Sequence, residues 1–207
     1  MSAKLAFVFF SMILMNNFVL VKLLGICPFL NFSGNLRSSV RLSAVITFVM
    51  VAASAITWPL YHFILAPLGI QYLENLLFIL IIVVLVQLTE MVLRRYLPPL
   101  HRKLGDYLPL ITANCAVLGV TLLNMSTPSL INPAYPYFTY LEALLCAAGA
   151  GVGFALAMML FSGVHRRLVL AQPPKPFEGL PITLVAAGIV SLSFMGFGGL
   201  QETLLGV

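Results

Sequence analysis

The 207-residue chain is 61% hydrophobic and 8% charged, with a formal net charge of +5 and a mean hydropathy of +1.06. A soluble domain carries about a quarter of its residues as charges, so this composition excludes a water-soluble globular protein and predicts an all-α polytopic membrane protein. The basic excess is assigned to loops facing the cytoplasm, where Lys and Arg collect, and not to nucleic-acid binding.

Lys4 precedes an apolar run beginning at Leu5, but no small-residue cleavage site follows it. The bulky Ile26 before Cys27 also argues against lipoprotein-type processing, so the run is read as the first span. A hydrocarbon core of about 30 Å needs roughly 20 apolar residues in a helix. Six stretches qualify, near 5–24 (running on to 32), 42–62, 72–93, 107–125, 138–163 and 180–200. Their continuous apolar character excludes a barrel, whose strands alternate.

The first run, Leu5 to Phe32, would be roughly 42 Å long as one helix, too long for the core. Gly25-Ile26-Cys27-Pro28 supplies the expected break, because Pro28 lacks an N–H and clashes with the preceding turn. The fourth run, from Asp106 to Leu123, carries Pro109 near its start, Asn114-Cys115 at its middle and Gly119 beyond. It too is expected to be interrupted.

Charge in the connections alternates. The first holds Arg37 and Arg41, the third Arg94, Arg95, Arg102 and Lys103, and the fifth Arg166, Arg167 and Lys175, whereas the second and fourth hold no basic residue. This pattern predicts both termini outside the cytoplasm. Trp58, Tyr61 and Tyr72 around the second connection, and Tyr135, Tyr137 and Tyr140 around the fourth, are expected interface anchors.

The breaks fall in the first span of each half. One integral membrane domain, 1–207, is therefore expected as two inverted three-helix repeats, 1–100 and 101–207. Interrupted helices at corresponding positions point to a functional site near the bilayer midplane, since irregular backbone survives there only inside protein or beside a cavity. Aligned on their cysteines, the breaks share only C-x-x-L.

Cys27, Cys115 and Cys146 include no C-x-x-C pair. Cys146, in LLCAAGAGVG, reads as a small apolar residue in a closely packed helix. Cys27 and Cys115 sit at breaks and are candidate metal ligands. Two thiolates suit either a mononuclear site with other ligands or an iron–sulfur cluster completed by another protein chain, since such clusters usually need four. Helix N-termini beside the breaks would offset the negative charge. A small secondary transporter is the alternative reading, and a purely structural scaffold a third.

Among the remaining polar residues, Glu90 is expected either to pair with Arg94 at i,i+4 or to handle ions. Lys22 either snorkels to the interface or balances charge at the cysteine site. Asn16 and Asn17 should bond to neighbouring helices or to a partner chain, and Thr112 and Asn114 are candidate donors to a cysteine sulfur. Glu74 and Glu142 suit helix N-termini. His62, His101 and His165 lie at unrelated spacings and predict no histidine metal site.

NNFVLVKLLGICPFL (16–30), QLTEMVLRRYLPPLHRKLGDYLPLITANCAVLG (87–119) and SLSFMGFGGL (191–200) strongly resemble the RnfA family of the Rnf electron-transport complexes. The resemblance covers essentially the whole chain. NNFVLVK favours this family over the related subunit of the sodium-pumping NADH:quinone reductase, and the outside termini favour it over the homologous RnfE type. The resemblance implies six helices in two inverted repeats and a heterodimer with an RnfE-type protein of opposite topology. It further implies that Cys27 and Cys115, with two cysteines of that partner, hold an intramembrane [2Fe–2S] cluster. The complex would sit in the bacterial inner membrane with both termini periplasmic, coupling ferredoxin and NAD redox chemistry to Na⁺ or H⁺ movement. Flavins and further iron–sulfur clusters would belong to other subunits; this chain shows no nucleotide loop, flavin motif or hydrolytic constellation and holds no complete active site. Lipid is the remaining partner.

Overall fold

A computed structural model describes residues 2–14, 17–22, 24–25, 36–68, 73–96, 114–129, 138–170 and 179–196. These form helices α1 (Ser2–Leu14), α2 (Leu36–Leu60), α3 (Glu74–Tyr96), α4 (Cys115–Ser126), α5 (Tyr140–Leu170) and α6 (Leu180–Met195), with no strand among the described residues. Among the described residues, three segments are long and apolar enough to cross a membrane: Ser39–Leu65, Asn75–Val92 and Tyr140–Leu168. The remaining helices, α1, α4 and α6, are shorter and apolar.

The long helices overrun the expected spans. Arg37 and Arg41 belong to the first turns of α2, Arg94 and Arg95 to the last turn of α3, and Arg166 and Arg167 to α5, not to connections. A helix continued past the hydrocarbon keeps its backbone bonds satisfied, and long Arg side chains reach water from it. α2 also continues beyond its expected end. After Pro59 the winding widens to one π-type turn over Tyr61–Leu65, then recovers through Ala66–Leu68, a rearrangement typical beside a proline.

Small residues bring the helices together. Cβ atoms built on Gly149 and Gly153 of α5 would lie 2.8 Å from the Phe9 carbonyl and 3.0 Å from the Met12 carbonyl of α1, so these two backbones touch where only Gly fits. The numbers rise together along both helices, which makes α1 and α5 parallel. α2 runs antiparallel to α5: the Trp58 indole N–H donates to the Phe138 carbonyl at 2.7 Å and the Ser54 hydroxyl to the Ala143 carbonyl at 3.1 Å, while Thr47 lies over Gly151. Leu42, Ile46, Val49, Met50, Phe154 and Phe161 fill the core between them, and Cys146 is fully buried among these apolar side chains.

The end of α2 and the start of α5 therefore share one end of the bundle. Trp58 stacks on His62 (5.2 Å, 18°) and meets Tyr140 edge-on at 5.4 Å. At the same end Thr139-x-x-Glu142 forms a capping arrangement. Glu142, fully buried, accepts from the Thr139 N–H at 2.9 Å and the Ser129 hydroxyl at 2.7 Å. Its structural place at a helix start is the one expected.

Candidate functional site

The first apolar run does not continue as helix to the Gly25 region. α1 ends at Leu14, about ten residues early, and Asn17 is the physical reason. Its side-chain oxygen accepts from the N–H groups of Val19 (3.1 Å) and Leu20 (3.3 Å). Its amide nitrogen donates to the carbonyls of Ile13 (3.2 Å) and Gly153 (2.8 Å). One fully buried amide thus uses its whole bonding capacity. It terminates one helix, starts the turns that follow, and ties both to α5. The Ser191 hydroxyl of α6 bonds the Leu20 carbonyl, fixing the segment from a further side.

Those turns lead to the second interruption. Asn114 takes extended backbone angles (φ −79°, ψ 106°), and its side-chain oxygen accepts from the Ala116 N–H at 3.0 Å. It is the N-cap of α4, so Cys115 is the first residue of a helix, as the interrupted fourth run predicts. The Cys115 thiol is exposed. The positive end of the helix dipole lies beside it and favours negative charge there.

The two interruptions meet. Gly25 has a positive φ of 84°, and a Cβ on it would lie 3.0 Å from the Ala116 Cβ, 3.0 Å from the Asn114 side-chain oxygen and 3.2 Å from the Phe154 ring. Phe18 and Leu24 cover Gly119, one turn further along α4. The residue two positions before Cys27 therefore abuts both neighbours of Cys115. Cys27, Pro28, Pro109, Thr112 and Asn16 lie outside the described residues.

Asn114 carries the local chemical signal. It is buried, and its amide nitrogen has no hydrogen-bond partner among the described residues. An unpaired buried donor costs about 1–3 kcal/mol, so a donor left open beside an exposed thiol suits an acceptor such as a sulfur ligand. No group of three or more His, Cys, Asp and Glu side chains able to hold a metal occurs among the described residues. Cys115, a helix start and an open amide donor fit part of an anionic, thiolate-ligated group whose other ligands come from elsewhere.

Lys22 is exposed, its ammonium 5.4 Å from the Phe18 ring centroid, so its stem lies along the turns while its charge stays accessible. Glu90 is half-buried on α3; the Arg94 side chain lies outside the described residues. Reading the sequence missed the Asn17 link to Gly153 and the contact of Gly25 with Asn114. The signals were present as an Asn within each apolar run, but which distant carbonyl Asn17 reaches is not encoded locally.

An α-helical membrane protein in which the turns after one apolar helix pack against the capped start of another, beside a cysteine, is the class these features define. The chain belongs to the Rnf-Nqr family, described as "Rnf-Nqr subunit, membrane protein", whose profile matches residues 5–201. It is similar to the RnfA-type component of the ion-translocating oxidoreductase complex of Aeromonas salmonicida, 50% identical over 190 residues, covering 92% of this chain and 94% of that one. The component of the same description from Proteus mirabilis is 49% identical over 194 residues, covering 94% and 96%. The corresponding component of the Na⁺-translocating ferredoxin:NAD⁺ oxidoreductase complex of Acetobacterium woodii is 45% identical over 197 residues, covering 95% and 98%.

Proposed function

We propose that this chain is the RnfA-type membrane component of an ion-translocating ferredoxin:NAD oxidoreductase. In this reading Cys27 and Cys115 supply half the ligands of an intramembrane [2Fe–2S] cluster, and a homologous RnfE-type protein of opposite topology supplies the rest. The observation that carries it is the contact of Gly25 with Asn114 and Ala116, which brings the segment leading to Cys27 against the helix that starts at Cys115. When bound, the cluster supplies a one-electron relay. This chain's own residues do the holding. Asn114 caps the helix so that Cys115 projects from its first turn and offers its open amide donor to a sulfur; Asn17 anchors the turns that present the other cysteine. Thr112 is a second candidate donor and Lys22 a nearby positive charge, both subsidiary.

The wider reading keeps six spans in two inverted repeats, residues 1–100 and 101–207, in the bacterial inner membrane with both termini periplasmic. The antiparallel run of α2 against α1 and α5 supports that alternation. Electron flow would be coupled to Na⁺ or H⁺ movement, with Glu90 the candidate for ion handling in this chain, and with flavins and other clusters on the remaining subunits.

The test is iron and acid-labile sulfide in the purified pair of this chain with its homologous partner, with low-temperature EPR of the reduced sample. About two irons and two sulfides per pair are expected, lost in Cys27→Ser and in Cys115→Ser. Iron without sulfide would mean a mononuclear site. An intact pair without iron would overturn the redox reading in favour of a small transporter, for which interrupted helices are equally suited.

A further inference from the structure

A groove of about 500 Å³ lies between α2 and α3, away from the cysteine site, with Arg41, Ala44 and Phe48 on one wall and Leu88, Thr89 and Val92 on the other. Positions 41, 44 and 48 recur at i, i+3 and i+7, and 88 and 92 at i and i+4, so each wall is one helix face. The walls are apolar: Phe48 is 63% exposed and Leu88 53%, and the Thr89 hydroxyl is occupied by the Leu85 carbonyl at 2.8 Å. Among the described residues, Arg41 is the one charged residue lining the groove; it is exposed and has no ion-pair or hydrogen-bond partner among them.

The groove sits at a membrane boundary. Arg41 falls near the start of the apolar segment Ser39–Leu65, and Val92 is the last residue of Asn75–Val92. Arg95, exposed and one turn past Val92, adds a second positive charge at that end. From Arg41 the walls run roughly 10 Å into the hydrocarbon, the length of seven helical residues. The occupant must therefore bury an apolar tail and carry a negatively charged head at the arginine. We propose that this groove binds one anionic phospholipid, with the phosphate on Arg41 and an acyl chain along Ala44, Phe48 and Leu88. Basic pockets between helices on the cytoplasmic side bind such head groups. A partner helix would fill the walls yet leave Arg41 without a counter-charge.

Native mass spectrometry of the intact complex in mild detergent, after delipidation and back-addition of phosphatidylglycerol or phosphatidylcholine, tests this. The unaltered complex should retain phosphatidylglycerol in preference to phosphatidylcholine. Arg41→Gln should lower phosphatidylglycerol retention roughly five-fold and leave phosphatidylcholine unchanged. Ala44→Trp should exclude both lipids from the groove, while Arg167→Gln, at the same membrane face on α5, should change neither. Unchanged phosphatidylglycerol retention in Arg41→Gln and Ala44→Trp would overturn the proposal. So would loss of another protein of the complex from either variant with this chain still inserted, because the groove would then be a protein interface. Neither result bears on the cysteines.

Discussion

Gly25 and Asn17 set the geometry of the interruption by different means. At φ +84° a side chain is strained, and at Gly25 the space is also taken by Ala116 and Asn114. Gly25→Ala should therefore destabilise by about 1–3 kcal/mol, seen as a melting temperature several degrees lower for the purified complex; an unchanged value would mean that the turn does not pack against α4. Asn17 acts through bonding. Asn17→Leu strands the carbonyls of Ile13 and Gly153 and two N–H groups, a loss on the order of 3 kcal/mol. Asn17→Asp keeps the acceptor but points a second carboxyl oxygen at the two carbonyls in a fully buried site, so denaturant unfolding should place it at least as low as Asn17→Leu. The role of Asn17 as a neighbour-bonding amide was legible in the sequence. Its role in ending α1 was not, because Asn16 and Asn17 inside an apolar run read as part of an uninterrupted span until the distant partner of Asn17 is known.

For the helices, close approach is the controlling feature. Gly149→Val would drive side-chain atoms into the Phe9 carbonyl, and a backbone group cannot swing away as a side-chain tip can. The expected result is separation of α1 from α5 at a cost of roughly 1–3 kcal/mol, read as lowered yield of folded protein and a raised rate of proteolysis within the N-terminal helix. The small-residue pattern around Cys146 announced this packing, since a run of Ala and Gly in an apolar helix has few other uses in lipid. Helix bounds were less legible. Apolar character marks where the hydrocarbon begins, not where backbone bonding ends, so Arg41, Arg95 and Arg167 read as connection and fold as helix. A break at Asn114-Cys115 was legible from polar residues in the middle of an apolar run, whereas the capping role of Asn114 was not. The meeting of Gly25 with the start of α4 was not legible, because it depends on α5 holding the Asn17–Gly25 segment through Gly153 and Phe154.

Among the described residues, the arginines of the long helices gather at one end. The start of α2 and the ends of α3 and α5 carry the arginines, while the Trp58–Tyr140 end carries aromatic rings and the buried Glu142. With a cysteine placed at Pro67 or at Arg167 in a background lacking the native thiols, a membrane-impermeant maleimide should label spheroplasts at 67 and spare 167. The reverse result would invert the proposed orientation. Sequence charge alone supplied this expectation, and the antiparallel register of α2 and α5 supplies a physical frame for it.

The bond from the Asn17 amide to the Gly153 carbonyl spans 136 positions and so has a schedule. Synthesis at about 5–20 residues per second leaves roughly 7–27 s between the emergence of one partner and the other. Throughout that interval the amide is in the membrane path without its native acceptor, where lipid offers no substitute. The first helix consequently cannot reach its final shape when it is inserted. Its completion waits on the fifth, and a chain halted before residue 153 should leave the N-terminal segment exposed to quality-control proteolysis.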